Sequence, residues 1–229
     1  QAGPGRSLMD PGIDHLVIGA ADLDQGRLYV EDLLGTPMSP GGKHPQMGTH
    51  KCLLSLGPST YLEVIAVDPA SPAPTRPRWF GLDHPQTAAR LEKGPGLLTW
   101  VVHGVTAANL EPSVRDRLGP AATMRRGSLE WRITLPVDGL PPAEGVLPAH
   151  SEWAAADHPA LGLPDAGCRL KNLRLNHFQA EMIIGLYAEL GVAGLQGGLV
   201  PGAENTDGPA VTAEIQTPQG VRRITSPPQ

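Results

Sequence analysis

Ile13-Asp14-His15-Leu16-Val17-Ile18-Gly19-Ala20 opens the stretch that decides the fold, and Ala21-Asp22-Leu23-Asp24-Gln25 carries it onward. The run from Ile13 to Ala20 is apolar except at Asp14 and His15 and has strand length, so it reads as a buried strand. Asp22 is placed to cap a helix, and Gln25, three residues on, is its reciprocal partner. Leu23, Leu28, Val30, Leu33 and Leu34 then recur at helical spacing, and Gly35 closes the helix from a position that favours glycine. The order is therefore strand, cap, helix, Leu-Gly.

The same order returns twice. Residues 97–103 read as a strand, and a helix expected from Asn109 ends at Leu118-Gly119, with Pro112 in its first turn. Residues 170–175 read as a strand, Asn176 and Gln179 repeat the capping pair, and Phe178, Met182, Ile183, Leu186 and Leu190 form an apolar stripe ending at Gly191. Strands are expected after the first helix at 49–56 and 61–67, around a Gly57-Pro58-Ser59-Thr60 hairpin loop. After the second they are expected at 121–126, 129–135 and 146–153, and after the third at 211–216 and 221–224. A short helix is expected around 86–93. The fold class is α+β, built from strand–helix–strand units whose curved sheets share a concave face. The expected division is an N-terminal extension at 1–12, one unit at 13–96, a second at 97–153, a linker at 154–167 and a partial third repeat at 168–229.

Composition narrows the function classes. The 229 residues are 40% hydrophobic and 18% charged, as in globular proteins, and the net charge of −5 with no basic stretch argues against nucleic acid. No apolar run reaches the ~18 residues of a membrane span, and residues 1–8 carry no signal-peptide core. Two cysteines, Cys52 and Cys168, are too few for a disulfide scaffold, so the cytoplasm is the expected compartment, although a Cys52–Cys168 bridge stays open. The expected partner is a small molecule, with a homodimer open to a third repeat that seeks a partner.

If Leu56 stands opposite Tyr61, then His50, Cys52, Leu54, Tyr61, Glu63, Ile65 and Val67 share one face. Glu63 is the one acid in an apolar strand, and burying it is costly unless it is paired or bound to a metal. His15 likewise opens an apolar strand. A histidine and a carboxylate on neighbouring strands suit a divalent metal. The competing reading is a satisfied core histidine and an ion-paired glutamate.

Asp14-His15-Leu16-Val17, Gly41-Gly42-Lys43-His44-Pro45, Gly48-Thr49-His50, Leu53-Leu54-Ser55-Leu56-Gly57, Tyr61-Leu62-Glu63-Val64-Ile65-Ala66 and Arg76-Pro77-Arg78-Trp79-Phe80-Gly81-Leu82-Asp83 resemble the glyoxalase-like group of the vicinal oxygen chelate superfamily. The likeness is strong over 13–83 and looser over 97–153. It implies paired βαβββ modules and, in many relatives, one divalent metal, with zinc, nickel, manganese and iron all open and a metal-free site the alternative. His15 and Glu63 match the family's ligand positions. Counting back 20 residues from each helix-ending glycine reaches His15, Thr99 and Lys171, so the second module offers threonine instead of a ligand. Glu152 stands in the place of Glu63 and would complete a set of His15, Glu63 and Glu152. The implied function is a metal-dependent lyase, isomerase or dioxygenase, in which the metal acts as Lewis acid and Glu63 or His50 moves the proton. Its alternative is a metal-free binding protein. Lys43, His44, Trp79 and Phe80 are the expected substrate contacts, with a plain turn at Gly41-Gly42 as the competing reading of that segment.

Overall fold

The structure is a computed structural model that describes residues 11–104, 110–153, 158–193, 199–201 and 210–229. Strand β1 (Gly12–Gly19) leads into helix α1 (Leu23–Leu34). Asp22 caps this helix, its carboxylate accepting from the Gln25 amide at 3.0 Å, and Gly35 ends it at φ 69°. Strands β2 (Ser39–His44), β3 (Thr49–Ser55) and β4 (Tyr61–Val67) complete the first module. Helix α2 (Pro85–Lys93) then leads to β5 (Gly96–His103), α3 (Pro112–Leu118), β6 (Ala121–Arg126), β7 (Leu129–Thr134) and β8 (Ala149–Trp153), the second module. Asn109, the expected start of the second helix, lies outside the described residues.

The two modules form one eight-stranded sheet in the order β2-β3-β4-β1-β5-β8-β7-β6. Within each module the first strand pairs in parallel with the last, and β1 joins β5 antiparallel. The sheet curves until its edges nearly meet. The Arg126 guanidinium on β6 donates to the Gly41 carbonyl on β2, and the Arg125 amide donates to the Gln46 side chain at 2.8 Å.

Both faces of this sheet are buried, which is why β1 and β4 are apolar almost throughout. Outside, Leu16, Ile18, Leu62, Val64 and Val102 pack with Val30 and Leu34 of α1 and with Val114 and Leu118 of α3. Inside, Val17, Ile65, Trp79, Phe80, Val101, Met124, Trp131 and Ile133 form a second core.

The third repeat comprises β9 (Arg169–Asn176), α4 (Ala180–Glu189), β10 (Leu199–Pro201), β11 (Ala210–Thr217) and β12 (Gly220–Thr225). Its sheet order, β10-β9-β11-β12, differs from that of the modules. The expected Asn176–Gln179 capping pair does not form, because Asn176 still belongs to β9 and Gln179 caps without a side-chain bond. The repeat packs within the same chain, since Leu173, Leu175, Ile183, Leu186 and Ile215 join the outer core. Cys52 and Cys168 are both free and buried.

Candidate active site

The hairpin register places the first groups of the site. Leu56 donates to the Thr60 carbonyl at 2.9 Å, so Ser55 faces Tyr61, Leu53 faces Glu63 and Lys51 faces Ile65. The loop is one residue shorter than expected, and the pairing slips by one. Because both sheet faces are buried, the slip leaves Glu63 buried and exchanges its neighbours. Lys51 now shares its face, while His50, opposite Ala66, turns to the other side with Cys52 and Leu54. The expected proton-transfer role of His50 in this cavity is therefore corrected.

Inside the curved sheet, His15, His44, Lys51, Tyr61, Glu63, Trp79, Phe80, Trp131, Ile133 and Trp153 line a cavity with about 10 Å³ of space for a water-sized sphere. That is room for about one water molecule, so a larger ligand enters only where the aromatic walls give way. Four of the residues chosen from sequence, His15, His44, Trp79 and Phe80, meet Glu63 here. Gly41 and Gly42 lie in strand β2 and not in a turn. A Cβ on Gly41 would stand 2.6 Å from Lys51 Cγ, so the missing side chain makes room for the lysine. Phe80 adopts φ 59°, a conformation costly for a non-glycine residue, and stacks on Trp79 with ring centroids 5.4 Å apart.

Lys51 is 5% exposed and Glu63 2%, and the lysine ammonium donates to Glu63 Oε2 at 2.5 Å. Burial holds the Lys51 ammonium below its ordinary pKa, against the opposing pull of Glu63. Burial likewise pushes His44 well below the usual imidazole value, helped by the charges of Lys51 and Arg126, so its ring is neutral at pH 7.

Asp14 owes its place to a β-bulge. Ile13 pairs with Val102 and His15 with Val101, so Asp14 is an extra residue with no partner on β5. Its Oδ1 accepts from His15 Nδ1 at 2.6 Å. Nδ1 must carry the proton in that bond, which leaves Nε2 as the basic nitrogen. The His15 ring is stacked on Tyr61, 4.6 Å between centroids. His158 Nε2 lies 3.3 Å from Asp14 Oδ2, at ion-pair distance without hydrogen-bond geometry. Because His158 Nδ1 accepts from the Ala160 amide, its own proton sits on Nε2, facing Asp14. His158 belongs to the segment read from sequence as linker, and the structure brings it to the edge of the site.

Burial acts to raise the Asp14 pKa, but the hydrogen bond from His15 and the electrostatic pull of both imidazoles override it and hold the carboxyl well below the usual range. A depressed native pKa stabilises the fold above the unfolded value of ~3.9 and loses that contribution as pH falls below it. Asp14→Asn is expected to make the acid limb of a stability-versus-pH curve shallower below about pH 4, measured by urea unfolding. An unchanged acid limb would show that the two imidazoles do not hold the carboxylate.

Two further expectations are corrected. Trp131 and Ile133 line the cavity and pair with Trp153 and Ser151, so the intervening Glu152 points to the opposite face, where it meets Arg132 at 3.3 Å. Lys43 is 59% exposed and pairs with Asp68 at 2.6 Å, outside the cavity lining. The residues also do not fit a divalent metal. A cation on Glu63 would face the Lys51 ammonium at hydrogen-bond distance. Thr99 gives its hydroxyl to the Gly145 carbonyl at 3.2 Å. Among the described residues, no group of three or more His, Cys, Asp or Glu side chains could hold a metal ion.

The sequence profile of the glyoxalase-like domain matches residues 13–191. The chain belongs to this family. Its two parallel-closed modules are those of the vicinal oxygen chelate fold. A Staphylococcus aureus hypothetical protein is similar over 94% of this chain and 88% of its own, with 10% identity and a TM-score of 0.51. The methylmalonyl-CoA epimerase of Mycobacterium tuberculosis covers 62% of this glyoxalase-like chain with 88% of its own length, at 22% identity and a TM-score of 0.40. The Streptomyces coelicolor methylmalonyl-CoA epimerase in complex with 2-nitronate-propionyl-CoA covers 65% with 98% of its own, at 20% identity and a TM-score of 0.42. No curated protein matches. No helix among the described residues is long and apolar enough to cross a membrane.

Proposed function

We propose that the cavity binds a compact oxygen-bearing organic molecule and moves a proton on it without a divalent metal. The observation that carries this reading is the meeting of the Asp14–His15 pair and the buried Lys51–Glu63 pair in one cavity. His15 Nε2 takes a proton from the carbon beside a carbonyl: the C–H bond breaks and an N–H bond forms. The electron pair moves onto the carbonyl oxygen, where a Lys51 N–H beyond the one held by Glu63 stabilises the negative charge. Return of the proton from His15 restores the carbonyl compound. Asp14 fixes the ring and offsets the charge that His15 gains, and Glu63 keeps the ammonium in place. Modules at 13–96 and 97–153 supply the two walls, 154–167 supplies His158, and 168–229 buttresses the outside. Two free buried cysteines suit the reducing cytoplasm.

Small 2-oxo and 2-hydroxy carboxylates incubated with the protein in D₂O, with and without chelator, test this reading by NMR. Deuterium is expected to enter beside the carbonyl of at least one compound, unaffected by chelator and lost in His15→Ala. Exchange abolished by chelator in the wild type, or retained in His15→Ala, would overturn it. The narrow, nearly closed barrel favours a second reading, a carrier that sequesters its ligand, in which binding survives His15→Ala and no deuterium enters.

A further inference from the structure

The inner cavity as it stands admits nothing larger than water. A second space lies against helix α2, a cleft with about 710 Å³ for a water-sized sphere. That falls within the roughly 300–1,000 Å³ of small-molecule sites. Leu98, Leu140, Pro141 and Pro227 give the cleft an apolar wall. Arg90, which also lines it, is already engaged. Its guanidinium donates to the Pro227 carbonyl and, at 3.2 Å, to the Pro228 carbonyl, and so holds that wall in place.

Phe80 borders both spaces. It lines the cleft, the inner cavity and a third, small void that shares Leu140 and Pro141 with the cleft. The residue is 5% exposed and its ring stacks on Trp79, part of the inner wall. Phe80 and Gly81 are consecutive left-handed residues, at φ 59° and 71°. Only the glycine adopts that conformation without cost. Among the described residues, the other non-glycine residues with positive φ are Ala143 and Glu144, and Glu144 lines the same cleft. Strained backbone gathers at ligand clamps and switch segments. Here it sits at the one side chain whose movement joins the cleft to the cavity. Swinging Phe80 aside relieves its φ and vacates the room of a phenyl ring in the space that His15, Lys51 and Glu63 line.

We infer that the cleft is the outer half of the ligand site and Phe80 the door to its inner half. The carbonyl end of the ligand passes Phe80 to reach His15, and an apolar chain stays in the cleft. This rests on the proton-transfer reading of the inner cavity and adds the class of molecule, a carbonyl compound with an apolar chain several carbons long.

2-Oxobutanoate, 2-oxohexanoate and 2-oxooctanoate test the inference, because they share one head and differ only in the chain. A buried CH₂ group is worth up to about fourfold in affinity, so calorimetry is expected to show at least a roughly tenfold gain across the series. Leu140→Asn and Ala89→Gln put polar groups at the cleft lining and should each flatten the series. Stopped-flow tryptophan fluorescence reports the door, since Trp79, Trp131 and Trp153 line the inner cavity. The wild-type association rate is expected to level off as 2-oxooctanoate is raised, because opening then limits entry, and to climb further in Phe80→Ala. Wild-type affinity that ignores chain length overturns the cleft, and a wild-type rate that climbs linearly throughout overturns the door. Deuterium uptake lost in His15→Ala, with affinity flat along the series, would sink the inference and leave the proton-transfer reading standing. A steep dependence on chain length with no deuterium uptake by any of the acids would do the reverse.

Discussion

Replacing Lys51 by methionine is expected to lower stability by about 3–5 kcal/mol, because it leaves the Glu63 carboxylate buried without a counter-charge. In a domain of this size that corresponds to a fall in melting temperature on the order of 10 °C. Lys51 and Glu63 are 4% and 3% exposed in their side chains, so water cannot take over the lost partner. The double variant Lys51→Met, Glu63→Met removes both charges and is expected to recover most of the loss, since an apolar pair of similar volume is often no worse than a buried ion pair. Ligand binding should not recover with it. Thermal unfolding of the two single variants and the double variant measures the coupling. Additive losses would show that the two side chains do not act as a pair.

Trp100→Ala is the second large effect, at about 3–5 kcal/mol for a fully buried indole. The Val146 carbonyl accepts from Trp100 Nε1 and from Tyr187 Oη, each at 2.9 Å. Trp100 belongs to the second module and Tyr187 to α4, so one carbonyl ties the module pair to the third repeat. Urea unfolding followed by both fluorescence and circular dichroism should show one displaced transition. Coincident curves indicate that the repeat unfolds with the body. A variant that unfolds at the wild-type midpoint would mean that this junction contributes nothing to stability.

Much of the frame is legible in the sequence because it depends on local periodicity. The apolar run at 13–20, the Asp22 cap and the Leu34-Gly35 ending specify β1 and α1 almost to the residue. His15, His44, Glu63, Trp79 and Phe80 stand out as polar or aromatic residues in unusual company, and all of them line the cavity. Lys51 was harder to read. It follows His50 at the edge of an apolar strand, and its place on the Glu63 face depends on a hairpin loop of three residues, Gly57-Pro58-Ser59, instead of four. Sequence pattern fixes alternation along a strand, but the turn sets its phase. Glu152 failed for a related reason: alternation sends Trp153 inward, so the acid beside it must point away. His158 has no local signal beyond a histidine before proline.

The bulge at Asp14 has a counterpart. The β1–β5 pairing shifts by one at Asp14 and shifts back where Leu98 of β5 has no opposite number, between Val17–Thr99 and Ile18–Leu97. The two irregularities cancel, so only His15, Leu16 and Val17 run out of step with the rest of the ladder. In genetic terms they behave like a pair of compensating frameshifts in space. Loss of the Asp14 codon alone would close the first irregularity and leave the one at Leu98, whereas loss of both codons would leave an unbroken ladder without the carboxylate. A lineage could thus gain or discard the Asp14–His15 pair through two small indels while the surrounding barrel stayed as it is.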